Sequence, residues 1–307
     1  MYINALPDHS KPGFDEKAHF ELFHTHNVIV NAVTRKSYCK EHVGCLSFKT
    51  VLSGTEKYIV NGNQITVRPG QFLILNDDQS YSSEIETGMD VQSVAIFFRQ
   101  KFAVSVINDF QQPDVKLPDD CNDHEGQMPG FFQTLYQLQP GLMNLVSAML
   151  RSINKYGYHK NNADEFMIRL LHRLLLEHKL VMQQTKKITA VKASTRKEIY
   201  KRLCVAKDIL HSSFSDNINL ELLSRNAIIS VPHLVRYFRQ VFGVSPHQYL
   251  TAVRMRYAAE LLLKDSINLQ ELTLQCGFED TSSFCRLFKK YYGHSPFVYH
   301  KIHHSCT

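Results

Sequence analysis

A repeat with an offset of 50 residues near the C-terminal end constrains the fold of this chain more than any other feature. Residues 230–249 and 280–299 resemble each other position by position. The shared positions are Arg236 and Arg286, Phe238 and Phe288, and Gly243-x-Ser245-Pro246-x-x-Tyr249 with Gly293-x-Ser295-Pro296-x-x-Tyr299. A stacked array needs at least about three units to bury a continuous core. Two copies therefore indicate a duplicated motif rather than a solenoid.

Each copy predicts two short helices joined by a turn, which is the helix-turn-helix geometry. In the first copy we expect helices over 220–226 and 231–241, with Ser230 as the N-cap of the second. In the second copy we expect helices over 269–275 and 281–291, with Gly277 in the turn and Asp280 as the N-cap. Ser245-Pro246-His247-Gln248 has the pattern of a capping box and predicts a long helix to about Lys264 that joins the copies.

The second helix of each copy carries two opposed stripes of side chains. The predicted core stripes are Leu234, Tyr237, Phe238 and Val241 in the first copy, and Phe284, Leu287, Phe288 and Tyr291 in the second. The outer stripes are Pro232, Val235, Arg236 and Arg239, and Ser282, Cys285, Arg286 and Lys289. An arginine on such a face can bind guanine O6 and N7 in the major groove of DNA. These arginines could also be ordinary solvated residues, but their recurrence at the same place favours DNA contacts.

Charge is distributed unevenly along the 307 residues, whose formal net charge is +6. From Lys186 onward there are 18 Lys and Arg against 9 Asp and Glu, a balance of +9. The preceding residues hold 17 against 20, a balance of −3. A basic C-terminal part suggests a polyanionic partner, although charge alone is equally compatible with a solvated basic face.

Other features of the sequence concern location and metal binding. No N-terminal signal pattern and no apolar run near ~18 residues is visible, so we expect a soluble, cytoplasmic protein without membrane contact. The cysteines form no C-x-x-C pair and are expected to be free thiols rather than zinc ligands. They are Cys39, Cys45, Cys121, Cys204, Cys276, Cys285 and Cys306.

Residues 1–100 have the pattern of strands and turns. Leu46, Phe48, Thr50 and Leu52 alternate along one predicted strand face. Asn61-Gly62 predicts a tight hairpin and Arg68-Pro69-Gly70 a second turn. Many short strands at this spacing indicate a small barrel or sandwich. Residues 108–130 lack periodicity and indicate a mobile cover or a linker.

A helical pattern follows residue 141, and its strongest stripe suggests self-association. We predict dimerisation through this stripe, with Arg169, Arg173 and Glu177 on the opposite side. The stripe consists of Phe166, Met167, Leu170, Leu171, Leu174, Leu175 and His178. Its alternative role is to pack onto the barrel of its own chain. The polar residues 183–193 then indicate a domain boundary.

The stretch GFEDTSSFCRLFKKYYGHSP, residues 277–296, resembles the signature of the AraC/XylS family of transcription regulators. The linking run Arg254-Met255-Arg256-Tyr257-Ala258 matches as well, and the resemblance covers roughly residues 200–302. Thr273, Gln275-Cys276 and His300 depart from the family pattern, which puts only local packing in doubt. The resemblance implies base contacts by Pro232, Val235, Arg236, Thr281, Ser282, Cys285 and Arg286. It implies phosphate contacts by Arg239, Gln240, Lys289 and Lys290.

The N-terminal half is similar to the cupin-type barrel with which many of these regulators sense a small molecule. The similarity rests on Leu52-Ser53-Gly54, Asn61-Gly62 and Arg68-Pro69-Gly70-Gln71. Metal-binding cupins have a histidine shortly after the last of these, whereas residues 76–83 contain none. His42 alone lies near a ligand position, and His24 and His26 come too early. We therefore expect no metal, no cofactor and no enzymatic activity.

Together these observations predict an α+β multidomain chain. Residues 1–110 form a cupin-like, effector-sensing β domain, and 111–192 a loop, a helical dimerisation segment and a linker. Residues 193–307 form an all-α DNA-binding domain, with motif one at about 218–241 and motif two at about 268–291. The expected function is regulation of transcription under control of a small molecule. Expected partners are double-stranded DNA, a small-molecule effector and a second copy, with RNA polymerase as a further candidate. The alternatives are a cupin metalloenzyme fused to a DNA-binding domain and an effector-independent DNA-binding protein.

Overall fold

The structure is a computed structural model that describes residues 1–6, 9, 13–110, 129–190, 192–264 and 268–304. It divides into two compact units, Met1–Cys204 and Val205–Thr307, and each is described by itself. Most of the predicted loop over 108–130 lies outside the described residues, as do Cys121 and Cys306. Among the described helices, none combines the length and the apolar character that crossing a bilayer requires.

The first unit is built on one eight-stranded sheet. Its strands are β1 (Tyr2–Ile3), β2 (Val28–Gly44), β3 (Ser47–Ser53), β4 (Glu56–Val60), β5 (Asn63–Val67), β6 (Gln71–Leu75), β7 (Gln79–Phe97) and β8 (Leu135–Gln137). The order is β1-β2-β7-β3-β6-β8, and the hairpin β4–β5 pairs with β7. The predicted cupin-like barrel is not confirmed, because no pairing among the described strands closes the sheet. The end strands span only 2 and 3 residues, so they offer few backbone groups for closure.

The predicted hairpin at Asn61-Gly62 is confirmed. Asn61 has φ 52° and Gly62 has φ 75°, and Val60 pairs with Asn63 across the turn. Two consecutive residues with positive φ match the twist of the flanking strands, which explains why Asn-Gly is favoured here. The second predicted turn is also present, since Gln71 donates its backbone N–H to the oxygen of Arg68 at 3.0 Å.

Four helices accompany this sheet: α1 (Glu16–Thr25), α2 (Gln100–Phe110), α3 (Pro140–Tyr156) and α4 (Lys160–Thr185). The sequence pattern predicts strands and turns for residues 1–100, and that prediction is wrong for the residues that form α1. Asp15 caps it, because its Oδ1 accepts the backbone N–H of Ala18 at 3.0 Å. Its apolar side chains, including Phe23, then face the sheet.

Helix α4 contains the stripe that was predicted for dimerisation, and it packs against α2 and α3 of its own chain. Met167, Leu170, Leu171, Leu174 and Leu175 are buried within this unit, and Phe166 and His178 are half-buried. This burial agrees with the alternative in which the stripe packs on its own chain. Self-association itself stays a prediction.

The second unit is helical. Its helices are α6 (Leu220–Ala227), α7 (Val231–Phe242), α8 (Pro246–Lys264), α9 (Leu269–Gln275), α10 (Thr281–Tyr292) and α11 (Pro296–His304). A further helix, α5 (Ala193–Ser212), contains the division between the two units. The predicted helix-turn-helix pairs are therefore α6–α7 and α9–α10, and each predicted boundary lies within one residue of the observed one.

Candidate nucleic-acid interface

In the first motif, side-chain and backbone caps define where each helix begins and ends. Asn219 Oδ1 accepts the backbone N–H of Leu222 at 2.8 Å and starts α6. Ile228 follows α6 with φ 51°, a left-handed conformation that β-branched residues rarely adopt. Ser230 is the N-cap of α7, and Gly243 ends α7 in a left-handed C-cap.

The helices of the second motif are capped at positions equivalent to those of the first. Asp280 Oδ1 accepts the backbone N–H of Ser283 at 2.8 Å and starts α10. The pKa of Asp280 lies below its usual value, mainly because Ser283 donates hydrogen bonds to its carboxylate. In the turn, Gly277 has φ 74°, and a Cβ there would lie 2.5 Å from the backbone oxygen of Ser215. Any other residue would clash with that backbone, so glycine is required by both conformation and space.

Helix α8 joins the two motifs and begins with the predicted capping box. Ser245 donates its backbone N–H to Gln248 Oε1 at 3.0 Å, and Gln248 donates its own to Ser245 Oγ at 3.3 Å. Met255 and Ala258 on α8 are fully buried and pack with the core of the second motif. The long helix is thus part of a packed core rather than an isolated connection.

The inner face of α7 agrees with the prediction, because Leu234, Tyr237, Phe238 and Val241 are all buried. In α10, Phe284 and Phe288 are buried and Leu287 is half-buried, but Tyr291 is 45% exposed. The prediction of Tyr291 as a core residue is therefore wrong. Its neighbour Tyr292 packs instead, with its ring 4.7 Å from that of Phe288 and its hydroxyl donating to Met255 O at 3.3 Å.

The predicted DNA contacts lie on the outer faces of α7 and α10. On α7, Pro232, Arg236 and Arg239 are exposed, and Val235 and Gln240 are half-buried. On α10, Ser282, Arg286, Lys289 and Lys290 are exposed, and Thr281 and Cys285 are half-buried. The structure thus brings each predicted set together on one solvent-accessible helix face, opposite a buried aromatic core.

Each of the two equivalent arginines contacts a neighbour on its own helix. Arg236 Nη2 donates to the hydroxyl of Tyr237 at 2.8 Å, and its guanidinium lies 4.6 Å from that ring. Arg286 Nη2 donates to Ser283 Oγ at 3.2 Å. A guanidinium has five N–H donors, so one such bond leaves donors for a base edge while limiting the motion of the side chain.

A family model described as a helix-turn-helix domain matches residues 223–302, which span most of both motifs. The chain carries an AraC-type helix-turn-helix domain. It is 22% identical over 244 residues to the transcriptional activator RhaS of Escherichia coli O6:H1, covering 79% of this chain and 80% of RhaS. It is 34% identical over 101 residues to an HTH-type transcriptional regulator of Haemophilus influenzae, covering 33% of this chain and 34% of that protein.

Similar solved structures include one of an isolated domain and one of a nearly full-length chain. The C-terminal domain of AraT, a response regulator from Geobacillus stearothermophilus, is 30% identical with a TM-score of 0.32, covering 33% of this chain and 84% of that one. ToxT from Vibrio cholerae, bound to (E)-4-(8-methylnaphthalen-1-yl)but-3-enoic acid, is 14% identical with a TM-score of 0.36. That match covers 89% of this chain and 98% of the ToxT chain.

One residue of the AraC-type domain has a role that sequence patterns did not reveal. Arg254 on α8 is half-buried, and its Nη2 donates to the backbone oxygen of Asp216 at 2.9 Å. Its guanidinium also lies 5.3 Å from the ring of Phe278 in the turn of the second motif. Burial lowers the pKa of Arg254. Its acceptors are backbone carbonyls, which are chemically the same at every residue, so only the folded chain identifies them.

Within the described ranges, no group of three or more His, Cys, Asp or Glu side chains could hold a metal ion. His24 and His26 are exposed, and His42 packs against rings of Phe20 and Tyr81. None of the cysteines that the structure describes, namely Cys39, Cys45, Cys204, Cys276 and Cys285, forms a disulfide bond.

Proposed function

We propose that this chain is a sequence-specific DNA-binding regulator of transcription, in which α7 and α10 are recognition helices. The observation that carries the proposal is the pair of exposed arginines, Arg236 and Arg286, at the same place on two capped helices with buried inner faces. An α-helix fits the major groove of B-DNA, and an arginine there binds guanine through two hydrogen bonds. Similarity to RhaS over most of the chain supports the same role.

The contacts divide into base and phosphate sets. We assign base contacts to Pro232, Val235 and Arg236 in one groove, and to Thr281, Ser282, Cys285 and Arg286 in the next. Pro232 and Val235 present apolar surface, which suits a thymine methyl group. We assign phosphate contacts to Arg239, Gln240, Lys289 and Lys290, which would position the protein without specifying sequence.

We assign the first unit a regulatory role, in which a small molecule binds its sheet domain and alters the action of the DNA-binding unit. Lys49, Glu56 and Ser93 are buried polar residues of this sheet, which suits a binding site better than a purely structural core.

We also propose that two copies associate through α4, as a symmetric dimer would double the DNA contacts. RNA polymerase is a further candidate partner.

DNA binding by the full chain tests the proposal. Duplexes selected from a random-sequence library should share two segments about 10 bp apart, because recognition helices one turn apart contact one face of DNA. With about six to ten phosphate contacts, affinity should fall by about 10³–10⁵ between 50 and 200 mM salt. The double variant Arg236→Ala, Arg286→Ala is the control that should enrich no common sequence. Binding that is insensitive to salt, or selection without any common sequence, would contradict the proposal.

A further inference from the structure

Two side chains that normally carry charge are buried inside the first unit. Lys49 on β3 and Glu56 on β4 are each 3% exposed. Burial lowers the pKa of Lys49 to about 8 and raises the pKa of Glu56. In the part of the chain that the structure describes, no carboxylate lies within 4.0 Å of Lys49 Nζ. The charge of Glu56 raises the pKa of Lys49 by less than burial lowers it, so the ammonium is only partly compensated and can bind a further partner.

Lys49 has fewer partners than its chemistry allows. Its Nζ donates to the hydroxyl of Tyr81 at 3.3 Å and lies 3.5 Å from the centre of the Phe97 ring. An ammonium group has three N–H donors, and this arrangement uses one of them in a hydrogen bond. Glu56 is better satisfied, because its carboxylate accepts the hydroxyl of Ser93 at 2.7 Å. The cation therefore has the larger unmet capacity for a partner.

Ser47 provides a second, independent observation on the same strand face. It precedes Lys49 by two positions on β3, so both side chains extend from the same side of the sheet, about 7 Å apart. It is fully buried, and its Oγ has no hydrogen-bond partner among the described residues. The buried hydroxyl has no acceptor there, and the buried ammonium has one hydrogen-bond acceptor for its three N–H groups. Both groups would be satisfied by an anionic oxygen.

Aromatic rings surround these donors. The ring of Phe97 packs against that of Phe23 on α1, with ring centres 4.2 Å apart. Phe20 of α1 stacks on His42 at 4.3 Å, and His42 in turn lies 4.4 Å from Tyr81. Burial lowers the pKa of His42 to about 4, so its ring is neutral near neutral pH. The walls are thus aromatic and uncharged, and α1 covers them.

We propose that Lys49 and Ser47 bind the carboxylate of a small organic acid whose apolar or aromatic body lies among Phe20, Phe23 and Phe97. This inference rests on the proposed regulatory role of the first unit and names the chemical class of its effector. One ammonium and one hydroxyl match a single negative charge. A phosphate dianion would need more donors than these two groups offer. A sugar would need more hydrogen-bonding groups than these ring walls supply.

Calorimetric titration of the full chain with 4-phenylbutyrate and with octanoate tests the site, with the corresponding neutral amides as probes of charge. The wild-type chain should bind at least one acid and should bind its amide at least about tenfold more weakly, because the buried ammonium is then left unpaired. Lys49→Met should weaken acid binding at least about tenfold, and Ser47→Ala about threefold or more. Lys57→Met, which removes an exposed lysine from the neighbouring strand β4, should bind the acid as the wild type does.

The inference is overturned if neither acid binds, if acid and amide bind equally, or if folded Lys49→Met binds the acid as the wild type does. Circular dichroism shows whether Lys49→Met is folded. If it is not, the comparison of acid with amide and the Ser47→Ala variant decide the question. Selection of duplex DNA by the wild-type chain is a separate readout. DNA selection without acid binding would overturn this inference alone, and acid binding without DNA selection would overturn only the proposed DNA recognition.

Discussion

Arg254 on α8 donates a hydrogen bond from Nε to the backbone oxygen of Phe214, which lies 2.7 Å away. Phe214 lies between α5 and the first motif, whereas the Arg254 guanidinium also reaches Phe278 in the turn of the second. The same two segments meet where Gly277 approaches Ser215. Arg254 therefore connects the segment before α6 with the turn before α10. This connection constrains the orientation of the recognition helices relative to each other.

We predict that Arg254→Met makes the spacing between the two selected DNA segments variable. Methionine keeps some packing against Phe278 but donates no hydrogen bonds to the two carbonyl oxygens. In selection from a random duplex library, the wild type should recover two segments at one spacing. The variant should recover the same segments at several spacings. Arg256→Met, at an exposed position of the same helix, is the control that should keep one spacing. A single spacing for Arg254→Met would show that α8 alone holds the motifs in place.

Substitution of each of the two equivalent arginines should show which DNA segment that arginine recognises. Arg236→Ala and Arg286→Ala should each weaken binding to a selected duplex by about 1–3 kcal/mol and relax base preference in different segments. Lys290→Ala should weaken binding to all duplexes by a similar factor, because phosphate contacts carry no sequence information. Binding measured on duplexes with single base changes tests both expectations. Equal losses on all duplexes for the three variants would contradict our division into base and phosphate contacts.

The sequence was sufficient for the helix-turn-helix unit because its boundaries depend on local chemistry. Asp280 caps α10 through a bond to Ser283, three residues away, and Asn61-Gly62 forms a two-residue turn. Such interactions involve neighbours in the chain, so a pattern in the sequence reveals them. Tyr291 was misassigned for the opposite reason. Whether it or Tyr292 packs inward depends on Met255, which belongs to another helix.

The sheet was harder to predict because β3 is buried on both faces. The alternation of Leu46, Phe48 and Thr50 predicted one inward face, and these residues are indeed buried. Ser47 and Lys49 on the opposite face are buried as well, which a polar side chain does not indicate in a sequence. The sequence does not reveal helix α1, because ten residues in a strand-rich region give too little periodicity, and the local signals are limited to Asp15 at the N-cap and charged residues in the first and last turns.

Ile228 has a left-handed backbone conformation, and we expect that a substitution at this position can stabilise the second unit. Ile228 is 73% exposed, so its side chain contributes little burial, whereas its positive φ is unfavourable for a β-branched residue. We expect Ile228→Asn to raise the free energy of unfolding of the second unit by about 0.5–1 kcal/mol, since asparagine tolerates this conformation. Urea unfolding measures the change. Ile229→Asn, at the adjacent half-buried position, should lower stability, and a loss in both variants would contradict the strain argument.

Two sets of substitutions on α4 distinguish folding from self-association. Leu171 is fully buried, so Leu171→Glu should destabilise the first unit by about 4 kcal/mol or more, because it buries an unpaired charge. Leu176 and Leu180 are 41% and 52% exposed and lie one turn apart on the outer face. Leu176→Glu with Leu180→Glu should leave the fold intact and convert a dimer to a monomer in light scattering. A wild-type chain that is monomeric at tens of micromolar, with and without DNA, would contradict dimerisation through α4.

Acid sensitivity of the first unit should depend in part on His178. Its ring lies among aromatic side chains, with centres 5.1 Å from Phe131 and 6.2 Å from Phe132, and its Nδ1 is buried without a hydrogen-bond partner among the described residues. Burial lowers its pKa from 6.5 to about 4, and Lys197 adds to this effect. Between these two values the unfolded chain binds a proton that the folded chain does not. Stability therefore falls as the pH is lowered through this range.

We predict that His178→Leu raises the stability of the first unit more at about pH 5 than at about pH 7.5, because the variant no longer binds this proton on unfolding. His19 and His42, whose pKa values are also lowered to about 4 by burial, will still make both proteins less stable in acid. The difference between variant and wild type isolates His178, and thermal unfolding at both pH values measures it. An equal effect of His178→Leu at both pH values would show that the imidazole is not kept neutral by its surroundings.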